Sequence, residues 1–180
     1  MVSIMKKNII FVFILISSSL LLGFYSNPSE SRYVTSKVCS ACHTGDTVNN
    51  VYEKWEASVH ANAYQTLKTD EANVIAKKLG ISDPLSSEAC LKCHVTSGGS
   101  GKNIDIEEGV SCEACHGPGS RYIMRKIMSN RERSKKKGLL IPRNDQEFCK
   151  TCHNDKSPTF KGFDYDVAWN EIKHPKPKKK

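Results

Sequence analysis

The stretch Gly109-Val110-Ser111-Cys112-Glu113-Ala114-Cys115-His116-Gly117-Pro118-Gly119 sets two cysteines three residues apart, places a histidine directly after the second, and then turns on two glycines and a proline. The same C-x-x-C-H pattern occurs at Cys39-Ser40-Ala41-Cys42-His43, Cys90-Leu91-Lys92-Cys93-His94 and Cys149-Lys150-Thr151-Cys152-His153. All 8 cysteines fall in these pairs and none is left over. The spacing has a physical reason. Two thiols about one helical turn apart can form thioethers with the two vinyl groups on one edge of a porphyrin, and the adjacent histidine then lies under the iron as its proximal ligand. Competing readings fail on the histidines. Zinc takes paired C-x-x-C motifs without a histidine after every second cysteine. A disulfide framework suits an exported chain but leaves four identical histidines unexplained. A thioredoxin-like motif occurs once, beside a strand–helix–strand unit. Four c-type haems are therefore predicted, attached through Cys39, Cys42, Cys90, Cys93, Cys112, Cys115, Cys149 and Cys152, with His43, His94, His116 and His153 as proximal iron ligands.

The rest of the 180-residue chain fits that expectation. Residues 1–26 carry Lys6-Lys7 near their start and run apolar from Ile9 to Phe24, a secretory signal peptide by pattern and just short of a membrane span. The segment 21–26 lacks a clean small-x-small cleavage site, so an uncleaved single anchor is the alternative. Either way residues 27–180 leave the cytoplasm, for the periplasm or the extracellular side. They are polar: hydrophobic residues make up 38% of the whole chain and aromatics 8%, with much of the former in the leader. A domain of this size with so few apolar side chains needs a prosthetic group or staples to fill its interior. The formal charge of +8 sits partly in residues 131–137 and in the tail 175–180. Nucleic acid is excluded as a partner, because an exported chain rarely meets it and no binding motif accompanies the lysines. A solvated tail and a charged helix face are the plain reading, with steering of an acidic redox partner or adhesion to an anionic membrane as the functional alternative.

Six histidines are too few for four bis-histidine irons, which would need eight. The two outside the motifs, His60 and His174, are distal-ligand candidates. His60 lies in 48–67, a stretch without glycine or proline that reads as a helix. His174 ends a second helical pattern that Asp164 caps and Pro175 stops. Met124 and Met128 stand one turn apart in 120–137, a basic helical stretch closed by Gly138; either could supply a thioether, and Met128 is preferred. Between the motifs, 70–80 and the run from Asp83-Pro84 read as helices, 97–101 as a loop, and 104–106 as at most a short strand. The second and third motifs start 22 residues apart, which predicts neighbouring haems. The fold expected is mainly α with extensive loops, wrapped on its cofactors.

At these residues the chain resembles the tetrahaem cytochrome c-554 family. The likeness spans nearly all of 27–180 and rests on Tyr52-Glu53-Lys54-Trp55, Ser58-Val59-His60-Ala61-Asn62-Ala63, Cys93-His94-Val95 and the run from Gly109 to Gly119. The resemblance implies that His60 ligates the fourth haem opposite His153, that His174 ligates the third opposite His116, and that the second haem, on His94, is five-coordinate. The family's ligand to the first haem is a histidine shortly after the Gly-Pro-Gly turn. This chain departs there, with no histidine between His116 and His153. The resemblance thus points to Met128 opposite His43.

Electron transfer between respiratory redox partners is the function these features predict. One rival is an enzyme that reduces a small molecule such as nitric oxide at an open His94 site. Another is a filament in which a neighbouring subunit supplies a missing ligand. No nucleophile–base set accompanies the motifs.

Overall fold

The computed structural model describes residues 30–142 and 145–174. The leader 1–26 and the tail 175–180 lie outside the described residues. Of the described residues, those from Ser31 to His174 belong to one unit. Ten short α-helices and several 3-10 turns make up the described residues, and no strand occurs among them. In chain order they are α1 Ser36–His43, α2 Val51–Glu56, α3 Ala63–Thr66, α4 Asp70–Lys78, α5 Glu88–His94, α6 Cys112–His116, α7 Arg125–Met128, α8 Arg131–Lys136, α9 Gln146–Lys150 and α10 Tyr165–Ile172. The longest has nine residues. Helices this short are marginal alone, so tertiary bonds must hold them.

Local sequence explains most of the boundaries. Thr69 caps α4 by accepting from the Ala72 amide, with Asp70 and Glu71 in the first turn and Lys77 and Lys78 in the last. Asn130, Asp145 and Asp164 cap α8, α9 and α10 in the same way. Several expectations are corrected. The stretch 48–67 is two helices, α2 and α3, separated by a turn that carries His60. The basic stretch 120–137 breaks into a 3-10 turn and two short helices. Asp83 starts a turn, accepting from the Leu85 amide at 3.0 Å, while α5 begins at Glu88. The segment 104–106 runs into a 3-10 turn that Asp105 caps.

The apolar core is thin. Tyr64, Leu67 and Val95 form its buried centre, with Leu85, Cys90, Leu91 and Ile104 packed against it. Polar bonds do much of the holding instead. The extended segment before α1 pairs with the chain around Ser120: Arg32 N donates to Ser120 Oγ at 2.8 Å and Ser120 N to Arg32 O at 3.1 Å. Thr96, just after the second motif, donates through its amide to Gly109 O (2.9 Å) and accepts at Oγ1 from Ser111 N (2.8 Å), just before the third.

Candidate haem site

Each attachment motif rides on a short helix. The first three lie wholly within α1, α5 and α6, so their cysteines are one turn apart on one face. The fourth begins in α9 and ends in the turns after it, with Cys152 and His153 beyond the helix. No disulfide joins any of the eight cysteines.

The imidazoles are oriented with care. His116 Nδ1 donates to Leu140 O at 2.9 Å. His94 Nδ1 donates to Ala63 O at 2.8 Å, with Thr66 Oγ1 3.2 Å away. A proton held on Nδ1 leaves the Nε2 lone pair bare, the form a metal takes. Burial holds His43, His60, His116 and His153 below the ordinary imidazole range, which favours the same neutral form. His43 Nδ1 is buried without a hydrogen-bond partner.

Two pairs of imidazoles face each other from distant parts of the chain. His60 and His153 have ring centroids 5.9 Å apart, as do His116 and His174. Imidazole nitrogen bonds a transition metal at about 2 Å, so two rings flanking one metal have centroids roughly 6 Å apart. Both pairs leave the room one iron needs, and the donor set fits haem. Phe163 stacks on His153 at 4.7 Å between centroids. His43 lies close enough to His174 to feel its charge. All six histidines are thus placed: two form facing pairs with His60 and His174, while His43 and His94 face no such partner. Met128 is the last residue of α7 and half-buried, one turn after the more exposed Met124.

The thiols show which motifs lie together. Cys39 of the first motif and Cys112 of the third share a hydrogen bond, which raises the one thiol and lowers the other. Cys93 of the second motif is raised chiefly by burial and then by the nearby Cys152 of the fourth, whose Sγ lies 3.8 Å from Lys92 O. Cys115 is pushed up to about 11, chiefly by burial and then by Cys149. The short spacing between the second and third motifs joins their backbones through Thr96 and Ser111. Their thiols also lie near those of the fourth and first motifs.

Sequence reasoning gave no role to the residues that fix this arrangement. Glu113, inside the third motif and 4% exposed, accepts from Val34 N (3.0 Å), Thr35 N (3.0 Å) and Gly119 N (2.6 Å). Glu108 accepts from Ser36 N at 2.8 Å, and Ser36 Oγ accepts from Cys112 N at 3.3 Å. These bonds moor the start of α1 to α6. They also hold Thr35 at φ 72°, a backbone region that a β-branched residue reaches only when its surroundings impose it. No sequence signal marks Glu113, because its partners are backbone amides. His60 is placed by a second set: Trp55 Nε1 donates to Val110 O at 3.0 Å and Val110 N to His60 O at 2.9 Å. Gly109, at φ 60°, makes this approach possible, because a Cβ there would stand 2.7 Å from His60 O.

Residues 38–117 match the family described as cytochrome c554 and c-prime, and residues 105–158 match a doubled CXXCH motif. The chain is 32% identical over 155 residues to cytochrome c-554 of Nitrosomonas europaea, an alignment covering 75% of this chain and 62% of that relative. The chain thus spans less than two thirds of that relative's length. No solved structure matches.

Proposed function

The chain belongs to the multihaem c-type cytochromes, and from that premise we propose that it is a four-haem electron carrier working outside the cytoplasm between redox proteins. The observation that carries this reading is the pair of facing imidazole couples, His60 with His153 and His116 with His174, each 5.9 Å between centroids. Haem iron, when bound, supplies a one-electron ferric/ferrous couple whose potential the axial ligands set.

The chain's own residues do the rest. Cys39, Cys42, Cys90, Cys93, Cys112, Cys115, Cys149 and Cys152 fix the cofactors covalently, so that they stay with an exported protein. Leu140 O and Ala63 O orient His116 and His94 and strengthen them as donors. Cys39 lies beside Cys112 and Cys152 beside the second motif, so the attached groups of the first and third motifs, and of the second and fourth, would be neighbours. Met128 is the sulfur donor we assign opposite His43. Export is supported by the basic start and apolar run of 1–26; among the described residues no helix is long and apolar enough to cross a membrane.

A second reading is favoured by one observation: no imidazole faces His94, so its iron would keep an open position able to bind and reduce a small molecule such as nitric oxide. Carrier and reductase differ in a simple assay. The carrier passes electrons between redox proteins at rates indifferent to added nitric oxide, whereas the reductase consumes it catalytically. The stoichiometry is tested by pyridine haemochrome against protein mass. Four haems per chain that resist acidified ketone are expected; two, or extractable haem, would defeat the proposal.

A further inference from the structure

Charge is distributed very unevenly over this molecule. Residues 121–137 carry eight cations (Arg121, Arg125, Lys126, Arg131, Arg133, Lys135, Lys136, Lys137) against the single carboxylate of Glu132, net +7. Residues 30–120 and 138–174 together carry thirteen cations against eighteen carboxylates, net −5. Within residues 30–174 the excess positive charge therefore comes from one short segment.

That segment is a built feature. Helices α7 and α8 form a hairpin closed by Ser134, fully buried, whose hydroxyl lies 3.0 Å from Ile127 O and 3.1 Å from Asn130 O. Arg133 Nη1 donates to Lys126 O at 3.0 Å. Every one of the eight cations is exposed. Among the described residues only Lys135 faces a carboxylate, that of Glu132 at 3.5 Å. Like charges so gathered repel one another, and the fold keeps them together.

The hairpin is also attached at both ends to one proximal histidine. On entry, Tyr122 Oη donates to Gly117 O at 2.5 Å and lies 3.0 Å from His116 O. On exit, Leu140 N donates to His116 O at 2.9 Å while Leu140 O accepts from His116 Nδ1. Between the cations and His116 lie exposed apolar side chains: Ile123 at 38%, Met124 at 53% and Leu140 at 52%. An apolar centre with a charged rim is the anatomy of a transient protein interface, in which the charges steer encounter and the centre makes contact.

We propose that the 121–137 hairpin, with Ile123, Met124 and Leu140, is the docking surface for an acidic redox protein, and that electrons cross there to or from the third-motif haem on His116. The inference rests on the electron-carrier reading. A membrane fits less well, because α8 has no apolar face to insert and an anionic bilayer would gain nothing from the bonds to His116.

The test uses the haem-loaded protein and a reduced acidic plant-type [2Fe–2S] ferredoxin as probe, with haem reduction followed by stopped flow. Each ferredoxin gives up one electron and one ferric iron becomes ferrous. The expected rate falls steeply with salt. Lys126→Glu/Lys136→Glu/Lys137→Glu slows it at least tenfold at low salt and flattens the salt dependence. Lys77→Glu/Lys78→Glu/Lys156→Glu, an equal charge change on exposed residues elsewhere, slows it less than threefold. Reduction by a small neutral mediator is the same in all three proteins, which certifies intact folding. Equal slowing by both triple variants would reduce the surface to bulk charge and overturn the proposal. So would unchanged rates in the hairpin variant, including the case where that variant loses only binding to phosphatidylglycerol vesicles. Wild-type protein that exchanges no electrons even with the neutral mediator would defeat the carrier reading itself.

Discussion

The first and third motifs are built differently from the second and fourth. Helices α1 and α6 are moored by Glu113, Glu108 and Ser36, and Glu113 alone satisfies the amides of Val34, Thr35 and Gly119. Between the second and fourth motifs the described residues make one weak hydrogen-bond contact, Cys152 Sγ to Lys92 O at 3.8 Å, and Cys152 and His153 lie beyond the end of α9. The first and third motifs carry their mutual geometry in the polypeptide, whereas the fourth depends on what its thiols and imidazole hold. The difference teaches that a thin apolar core can be replaced in two ways, by buried carboxylates that gather backbone amides or by the cofactor itself.

The largest test of the comparison is Glu113→Ala. Removing the carboxylate strands three amide donors in a buried place, and each costs about 1–3 kcal/mol. We expect about 4 kcal/mol to be lost in denaturant unfolding of the haem-loaded protein. Amide exchange should accelerate at 34–36 and 119 before it does in 149–153. A loss below about 1 kcal/mol, or exchange that rises uniformly, would mean that the clamp does not distinguish the halves.

Next in size are the facing imidazoles, one in each half. His174→Ala and His60→Ala should each convert one low-spin iron to high-spin by electron paramagnetic resonance, the first on the His116 side and the second on the His153 side. Because the fourth motif has less polypeptide support, His60→Ala should also increase exchange in 149–153, while His174→Ala leaves 34–36 protected. Spectra unchanged in either variant would remove that residue as a ligand. Met128→Ala should abolish the weak red band of thioether–iron coordination, and Met124→Ala should keep it.

Much of this was legible in the residues. The four C-x-x-C-H motifs stand in the sequence, Asp164 caps α10 as its position suggested, and the mainly helical, loop-rich character follows from the segments between the motifs. What escaped was longer-range. The stretch 48–67 has no helix breaker, yet the chain leaves the helix after Glu56 because Trp55 and His60 bond to Val110 across some fifty residues. The turn at Gly117 serves a close approach to Gly138 O, where a Cβ would stand at 3.0 Å. Glu113 is silent in sequence because its partners are backbone amides, which every residue but proline has.

Gly109→Ala gives a smaller effect. The new Cβ would lie 2.7 Å from His60 O and 3.0 Å from Ala61 O, both backbone atoms that cannot swing aside. We expect a cost of about 1–3 kcal/mol and a partial high-spin signal from the His153 side. Gly80→Ala, also at positive φ but with nothing within 4 Å, is the control; it should cost about 1 kcal/mol and leave the spin state alone. Equal spin changes in both would uncouple Gly109 from His60.

The smallest effect concerns the second motif alone. His94 Nδ1 has two oxygens within reach, Ala63 O at 2.8 Å and Thr66 Oγ1 at 3.2 Å, whereas His116 has only Leu140 O. The Thr66 hydroxyl donates its own hydrogen to Ala63 O at 2.7 Å, so toward His94 it can only accept. Two acceptors on one N–H draw its proton further from the ring and make Nε2 a stronger donor, which favours ferric iron. Thr66→Val keeps the shape and the carbonyl and removes the second acceptor. The midpoint potential of the His94 haem should therefore rise, with less than a tenfold change in its reduction equilibrium, about 1.4 kcal/mol at most. The His116 haem should not move. Spectroelectrochemical titration separates the two, because the five-coordinate iron expected on His94 has its own high-spin spectrum. A fall in that potential, or an equal rise at His116, would show that Thr66 acts through packing rather than through the histidine.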